Sequence, residues 1–162
     1  MSSYLVDFFL KYFIIHQMNL EDLKNNITKD SQIDSTELGV EALKIPQVHA
    51  KYLNMLTDFK LLLTKHQNDY AIQRLRKWKI LTGKASKEEL EAWGEEPFDL
   101  DLLKTDVEKF IDGDPKMVEL KSKVAVNEIK VKMVEEFLKA INNRNFNIKS
   151  AIDWQKMMNG IV

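Results

Sequence analysis

The feature that most constrains the fold is a row of residues between positions 116 and 143 whose spacing alternates between four and three. Its members are Leu120, Val124, Asn127, Val131, Val134, Leu138 and Ile141. This spacing is the a/d repeat of a heptad, which places every member on one stripe of an α-helix. The row predicts a long helix over residues 116–143, which Arg144-Asn145 interrupts before a final short helix from Ile148 to Met158.

A second apolar row runs beside the first along the same helix. Its members are Val126, Ile129, Met133, Phe137 and Ala140. Two adjacent rows need partners on two sides, as in helical bundles or rings. We therefore predict an oligomerisation surface in which Asn127 specifies register or oligomer state at a cost in stability. The residues of this surface are Val124, Asn127, Val131, Val134, Leu138 and Ile141. Packing of the same helix inside a single-chain bundle is the alternative.

Turn-forming residues are scarce, with 5 glycines and 3 prolines among 162 residues. An all-β fold needs many turns, so this composition favours helices. Hydrophobic residues make up 44% of the chain and charged residues 30%, which is typical of a folded globular protein. We predict an all-α protein with a long N-terminal helix, short acidic helices and a C-terminal coiled-coil-like oligomerisation helix.

Capping residues predict where the first helices begin. Asn19 is a candidate N-cap for a short helix over residues 19–30. Asp34 stands three residues before Glu37, as in the capping box that opens a helix. A second helix of more than thirty residues is therefore expected to follow.

The second helix is predicted to continue to about residue 81. Pro46 is expected to break or kink it near its beginning, so that it is one helix or a kinked pair, and Gly83 is the expected residue at its C-terminal end. Its second half has little apolar surface, which indicates that this half needs a partner. Further along, Ser86 and Gly94 bracket a short helix, and an acidic helix from Asp99 or Asp101 to about residue 111 follows.

The charges are arranged in two neighbouring blocks, although the net charge is only −1. Residues 60–87 contain eight basic residues and one acid, whereas residues 88–119 contain twelve acids and three lysines. Such blocks suggest a polyanionic partner for the basic part. The acidic part either docks a basic partner or screens the basic part within the chain. Two solvated helix faces of different charge are the remaining interpretation.

The basic block carries the candidate binding residues of this chain. They are Arg74, Arg76, Lys77, Lys79, Lys84 and Trp78. Clustered cations bind phosphates, and an exposed aromatic side chain can stack on an unpaired base. No zinc finger, basic zipper or compact helix-turn-helix surrounds the cluster, so binding of single-stranded DNA without sequence preference is the better hypothesis. For Trp78, packing in the core is the alternative to stacking.

No catalytic or metal site is expected. None of the three histidines stands at a metal-ligand spacing from another, and cysteines are absent. Gly83-Lys84 is not part of a phosphate-binding loop, because Trp78 stands where the first glycine of that loop would be. We therefore predict no enzymatic activity, no metal and no cofactor.

Residues 1–17 differ from the rest of the chain. They are apolar but interrupted by charges, and their apolar stretches are too short to cross a bilayer. We expect a non-native or disordered extension ahead of Met18 and no membrane partner; anchoring at a membrane surface by this segment is a rival hypothesis. The predicted regions are this extension, a basic helical DNA-binding region (18–85), an acidic helical linker (86–115) and C-terminal oligomerisation helices (116–162).

Four places in the chain together resemble the UvsY family of phage recombination mediators. These are Leu20 to Leu23 with Lys29-Asp30, Ile33 to Thr36, Leu38 and Glu41-Ala42; the basic helix ending in Thr82-Gly83-Lys84; Asp106-Val107; and Phe137 to Ile141 with Arg144, Phe146 and Ile148-Lys149. The resemblance covers roughly residues 18–160. Where the family often has a Tyr-Tyr pair, this chain has Ile80-Leu81, which leaves Trp78 as the nearby stacking candidate.

The resemblance implies a function. Such mediators bind single-stranded DNA and help a RecA-like recombinase to load where a single-strand-DNA-binding protein already covers the strand. They form homo-oligomeric rings through their C-terminal region and hydrolyse no nucleotide. A cytoplasmic location in an infected host cell is then expected. A helical coiled-coil scaffold without DNA binding is the alternative function.

Overall fold

The computed structural model describes residues 18–100 and 102–160, so the predictions for residues 1–17 lie outside the described part. The helices are α1 (Leu20–Ser31), α2 (Leu38–Leu81), α3 (Lys87–Trp93), α4 (Lys104–Gly113) and α5 (Pro115–Met158). The described part is 82% helical and contains no strand, which confirms the predicted all-α fold. None of these helices has an apolar stretch long enough to cross a membrane.

Local capping interactions fix the ends of α1 and α3. Asn19 accepts a hydrogen bond from the Asp22 backbone N–H, and Asp22 accepts one in return from the Asn19 N–H. Ser86 and Glu89 form the same reciprocal capping box at the start of α3. Gly94 ends α3 with a φ of 65°, a left-handed conformation that favours glycine. The predicted N-caps of both helices are thus present.

The long helix α2 has 44 residues and passes through Pro46 without ending. Proline lacks the N–H that would bond the carbonyl four residues earlier, so one helical hydrogen bond is lost there. The expected capping box at Asp34 and Glu37 is absent. The Asp34 carboxylate instead accepts hydrogen bonds from the backbone N–H and hydroxyl of Thr36, which forms a tight turn before the helix.

Two predicted helix boundaries in the second half of the chain are wrong. Helix α4 begins at Lys104 rather than at Asp99 or Asp101, and the helix predicted to end at residue 143 continues to Met158 as α5. Arg144 does not interrupt α5, because long-range contacts hold this side chain. Its guanidinium donates to the Asp30 and Gln32 carbonyl oxygens at 2.7 and 2.5 Å.

The chain divides into two compact units. The first contains the described residues up to Leu62 and those from Asn127 onward, and the second contains Leu63–Val126. Both 44-residue helices contribute to both units, so these boundaries differ from the consecutive regions that the sequence suggests.

Tyr52 lies at the centre of the core of the first unit and is completely buried. Its ring meets that of Phe137 edge to face, with centroids 4.6 Å apart. Its hydroxyl donates to the Asp30 carboxylate at 3.0 Å, and Lys51 binds the same oxygen at 2.6 Å. Burial, together with this carboxylate, raises the pKa of the Tyr52 hydroxyl. Aromatic packing and a satisfied polar tip thus join α1, α2 and α5.

Two cations are buried in the first unit, and each has a specific partner. Lys130 donates to the Met18 carbonyl at 2.7 Å and lies 5.5 Å from the centre of the Phe59 ring. Burial lowers the pKa of this lysine. Arg144 pairs with Glu41 at 3.0 Å, and both side chains are less than one-tenth exposed. A buried charge without such partners would be strongly destabilising.

The predicted oligomerisation row is largely inside the chain. Asn127, Val131, Val134, Leu138 and Ile141 are buried, and Val124 is half-buried. The packing of one chain therefore accounts for five of these six side chains. Their contact with a second copy stays a prediction.

The core of the second unit is small. Val107 and Ile111 of α4 pack with Met117 at the start of α5. Four partly buried side chains cover this cluster: Tyr70, Trp78, Leu81 and Leu102. The Asp114 carboxylate caps α5 by accepting hydrogen bonds from the Lys116 and Met117 N–H groups. This core brings the acidic segment alongside the basic part of α2.

Candidate nucleic-acid interface

The candidate interface lies in the second unit, where the last two turns of α2 carry most of the predicted cations. Arg74, Arg76, Lys77 and Lys79 lie on this helix, and Lys84 follows its end. Gly83 has a φ of 65°, and the Lys84 N–H returns to the Lys79 carbonyl at 2.8 Å. This C-terminal turn brings Lys84 back beside the helix.

Arg74 is held by two carboxylates of α4. Its guanidinium binds Glu108 and lies 3.5 Å from an oxygen of Asp112. It also donates to the Tyr70 hydroxyl at 3.5 Å. Burial opposes the charge of Arg74, but Glu108, Tyr70 and Asp112 together outweigh this effect and the pKa is raised. A phosphate group would have to compete with these carboxylates for Arg74.

Lys77 is more enclosed than Arg74 and Lys79, with 20% of its side chain exposed. Its ammonium lies 3.3 Å from Glu95 and 3.2 Å from Asp114. Burial disfavours the ammonium, yet Asp114 and Glu95 together raise its pKa. Lys77 therefore acts first as the link between α2 and the acidic segment.

Lys79 pairs with Glu89 in the first turn of α3. Because Glu89 accepts from Lys79 and from the Ser86 N–H, the pKa of its carboxyl is lowered. The same lysine lies 6.0 Å from the centre of the Trp93 ring. Lys79 thus has an ionic partner on α3 and an aromatic one at the end of that helix.

Arg76 and Lys84 differ from the other three cations. In residues 18–100 and 102–160, neither forms an ion pair with a carboxylate. The Arg76 guanidinium lies 5.4 Å from the Trp93 ring centre, and the Lys84 ammonium lies 4.3 Å from the Trp78 ring centre. A cation over an aromatic face keeps its charge available to a further anion. Of the five predicted cations, these two could accept a phosphate without displacing a carboxylate.

Trp78 packs in the core of the second unit, which limits the surface that it can offer to a stacked base. Its side chain packs against the cluster of Val107, Ile111 and Met117, and its carbonyl accepts from the Thr82 hydroxyl at 2.7 Å. The indole is therefore partly a core residue, and its remaining face is next to Lys84.

Trp93 is a candidate interface residue that the sequence reasoning missed. It closes a seven-residue acidic helix and is half-buried under Arg76 and Lys79. The sequence does show that Trp93 directly precedes the capping Gly94 and therefore lies at the end of a helix. The pairing with Arg76 spans seventeen positions, however, and no local pattern predicts it.

The acidic block pairs with the basic block inside the second unit. Glu89, Glu95, Glu108, Asp112 and Asp114 all bind cations of α2. This arrangement matches the internal screen that the charge pattern left open. Nowhere in the described ranges do acidic and histidine side chains gather as metal ligands would.

The comparison with known families decides what kind of protein this is. Residues 26–161 match the family described as recombination, repair and ssDNA binding protein UvsY. The chain belongs to the UvsY family. The match includes the whole of α2 and therefore the entire basic cluster. A search of curated proteins finds no match to the chain.

Solved structures of a UvsY protein have the same fold. One crystal form of the bacteriophage T4 recombination mediator protein UvsY superimposes with a TM-score of 0.76 at 23% identity, over 88% of this chain and 99% of that chain. A second form gives a TM-score of 0.73 at 20% identity, over 87% of this chain and 99% of that one. This chain and the T4 protein thus share a fold at low sequence identity.

Proposed function

We propose that this chain is a recombination mediator without enzymatic activity. It binds single-stranded DNA as a homo-oligomer and promotes loading of a RecA-like recombinase onto DNA covered by a single-strand-DNA-binding protein. The observation that carries the proposal is the UvsY family match over residues 26–161. The basic cluster, with two cations that no described carboxylate neutralises, supports it.

In this proposal, Arg76 and Lys84 make the first contacts with the DNA backbone. Both contact indole rings rather than carboxylates, so a phosphate can bind them without breaking an ion pair. Lys65 and Lys87 are exposed and extend the same charge along the chain. Arg74 and Lys79 contribute only when they leave Glu108 and Glu89.

Assembly compensates for the small number of cations in the basic cluster that have no described carboxylate partner. A few phosphate contacts give a modest affinity that falls steeply with salt. Linking several copies raises the effective concentration of binding sites along one strand without any new contact. A strand wrapped over several copies would be strained, which would loosen the covering protein and present the DNA to the recombinase.

Self-association needs apolar surface that the single chain leaves exposed. The C-terminal part of α5 supplies it, since Phe146 and Trp154 are 73% and 60% exposed and Met157 and Met158 follow on the same side. Side chains three, four and eight positions apart share a helix face. We infer that this face, rather than the buried row from Asn127 to Ile141, supplies the exposed part of the contact between copies.

The DNA proposal is tested with the double variant Arg76→Ala, Lys84→Ala. We expect weaker binding of a fluorescent single-stranded oligonucleotide, and a slope of log affinity against log salt concentration that is shallower by about 0.7 per lost contact. Lys24→Ala, Lys29→Ala in α1 is the matched control, because it removes the same charge from exposed positions elsewhere. Equal affinity and equal salt slope for wild type and the Arg76, Lys84 variant would exclude this site.

The assembly proposal is tested by light scattering on Phe146→Asp, Trp154→Asp. These substitutions should reduce the mass of the oligomer, since charges would then lie in the contact. Leu43→Asp is the control, because Leu43 is a 77% exposed leucine on α2. An unchanged mass in the α5 variant would show that copies associate through another surface.

The scaffold without DNA binding remains distinguishable. If the chain is such a scaffold, it should form an oligomer of normal mass that does not bind the oligonucleotide at low or at high salt. Measuring mass and DNA affinity on the same samples separates this outcome from a chain that fails to assemble.

A further inference from the structure

A pocket of about 620 Å³ opens within the second unit beside the end of α2. Its apolar lining is formed by Ile80 and Leu81 of α2, Phe98 of the segment after α3, and Phe110 of α4. The two phenylalanine rings meet edge to face with centroids 6.4 Å apart. Phe110 is nevertheless 50% exposed, so the aromatic wall retains surface that a bound side chain can cover.

Exposed apolar side chains continue along the segment that joins the pocket wall to α4. Leu100 and Leu103 are 66% and 72% exposed. Together with Phe110, they place three large apolar side chains in water within eleven residues. Scattered exposed leucines are ordinary, but a concave aromatic site among them is typical of a binding surface.

The charge of the pocket is acidic. Its carboxylates are Glu95, Glu96 and Asp114, and its cations are Lys77 and Lys109. Glu95 and Asp114 share Lys77, as described above. Lys109 is paired with Asp106 at 2.9 Å. Both cations are therefore already engaged by carboxylates.

Glu96 lies at the pocket without an ion pair in the part of the chain that the structure describes. Asp99, three residues later, also has no cation partner among these residues and is exposed. An apolar pocket flanked by unneutralised carboxylates complements a ligand that combines an apolar group with a positive charge. A nucleotide fits this surface poorly, because its phosphate would be repelled by the same carboxylates.

We propose that this pocket docks a basic segment of a partner protein. The segment inserts one aromatic side chain against Phe98 and Phe110 and places an adjacent lysine or arginine next to Glu96. The interaction goes beyond DNA binding, since it uses the acidic side of the second unit and none of the cations assigned to phosphate. The charge complementarity and the aromatic wall carry the proposal.

The test uses a labelled peptide that has one tryptophan between two pairs of arginines, titrated into the millimolar range against the full chain. Two further peptides separate the contributions: one replaces tryptophan by glycine, and one replaces the arginines by glutamates. We expect the first peptide to bind at least about fivefold more tightly than either of the others, because both anchors are needed.

Two variants locate the site on the protein. Phe110→Ala and Glu96→Gln should each lower the affinity for the arginine–tryptophan peptide by about threefold or more, while oligonucleotide affinity stays at the wild-type value. Leu75→Ala and Glu128→Gln are the controls, since Leu75 and Glu128 are exposed and outside the pocket lining. Circular dichroism is used to check that each variant is folded. Because Glu96 is exposed, Glu96→Gln tests the site even if Phe110→Ala unfolds.

Three results would overturn the proposal. The first is no saturable binding of the arginine–tryptophan peptide by the wild-type chain. The second is equal binding by wild type and both pocket variants. The third is loss of oligonucleotide affinity in Phe110→Ala with unchanged peptide affinity, which would make the pocket a site for a nucleic-acid base. None of these results depends on whether Arg76 and Lys84 bind DNA.

Discussion

Replacing Arg144 should destabilise the first unit more than any exposed charge does. The guanidinium binds Glu41 at 3.0 Å and the carbonyl oxygens of Asp30 and Gln32, and its side chain is 9% exposed. Arg144→Met keeps much of the volume but leaves these three acceptors without this donor. Removing one partner of a buried ion pair typically costs about 3–5 kcal/mol.

The lower end of that range is expected, because Glu41 keeps a second partner. Lys44 donates to the Glu41 carboxylate at 2.7 Å and reaches water, with 55% of its side chain exposed. Glu41 is therefore partly compensated after Arg144 is lost, and a decrease of about 3 kcal/mol in the free energy of unfolding follows. The double variant Glu41→Gln, Arg144→Met should lose less than the sum of the single changes, since the two residues interact directly.

The measurement is urea unfolding followed by far-UV circular dichroism at one fixed protein concentration, because assembly shifts apparent stability. Lys139→Ala is the control, since Lys139 pairs with Glu136 on the surface of the same helix. An unfolding midpoint that Arg144→Met lowers no more than Lys139→Ala does would contradict this expectation. Such a result would mean that the buried pair contributes as little as an exposed one.

Three further changes test other contacts. Glu89→Gln should strengthen binding of single-stranded DNA in a salt titration, because it releases Lys79 from its ion pair; unchanged affinity would show that Lys79 does not reach DNA. Gly94→Ala should lower thermal stability by about 1 kcal/mol through its φ of 65° alone, since nothing lies within 4 Å of the added methyl group. Although burial opposes ionisation, hydrogen bonds from the Met117 N–H and from Lys77 lower the pKa of Asp114 below its ordinary value of 3.8. The stability that Asp114 contributes is therefore present above that pH and is lost as the pH falls through the lowered pKa; acid unfolding of Asp114→Asn should lack this component.

Sequence reasoning succeeded at most of the helix ends that local interactions decide, although the capping box expected at Asp34 and Glu37 is absent. The capping boxes at Asn19 and Ser86 involve residues three apart, and Gly83 ends α2 through its own backbone conformation. The same reasoning failed at Arg144, whose partners lie more than a hundred positions away. A polar residue that interrupts an apolar row looks like a break when its distant partners are unknown.

The candidate interface also combines features that neighbouring residues reveal with features that depend on residues far along the chain. The basic cluster is visible in the sequence because its members are neighbours. Which of its cations are already neutralised depends on acids 10 to 38 positions further along the chain. Lys77 looks equivalent to Arg76 in the sequence, yet Lys77 is enclosed by two carboxylates and Arg76 lies over Trp93. Their roles are separated by where the fold places Trp93, Glu95 and Asp114 against α2.

The cation–indole contacts have a spectroscopic consequence. The chain has 3 tryptophans, and Trp78 and Trp93 lie against Lys84 and Arg76. A positive charge that moves from an indole face to a phosphate changes the local electric field, and with it the wavelength and yield of intrinsic emission. Trp154 is 60% exposed on α5, so Trp154→Phe removes the background emission. The protein thus contains its own optical reporter at the surface where DNA is proposed to bind.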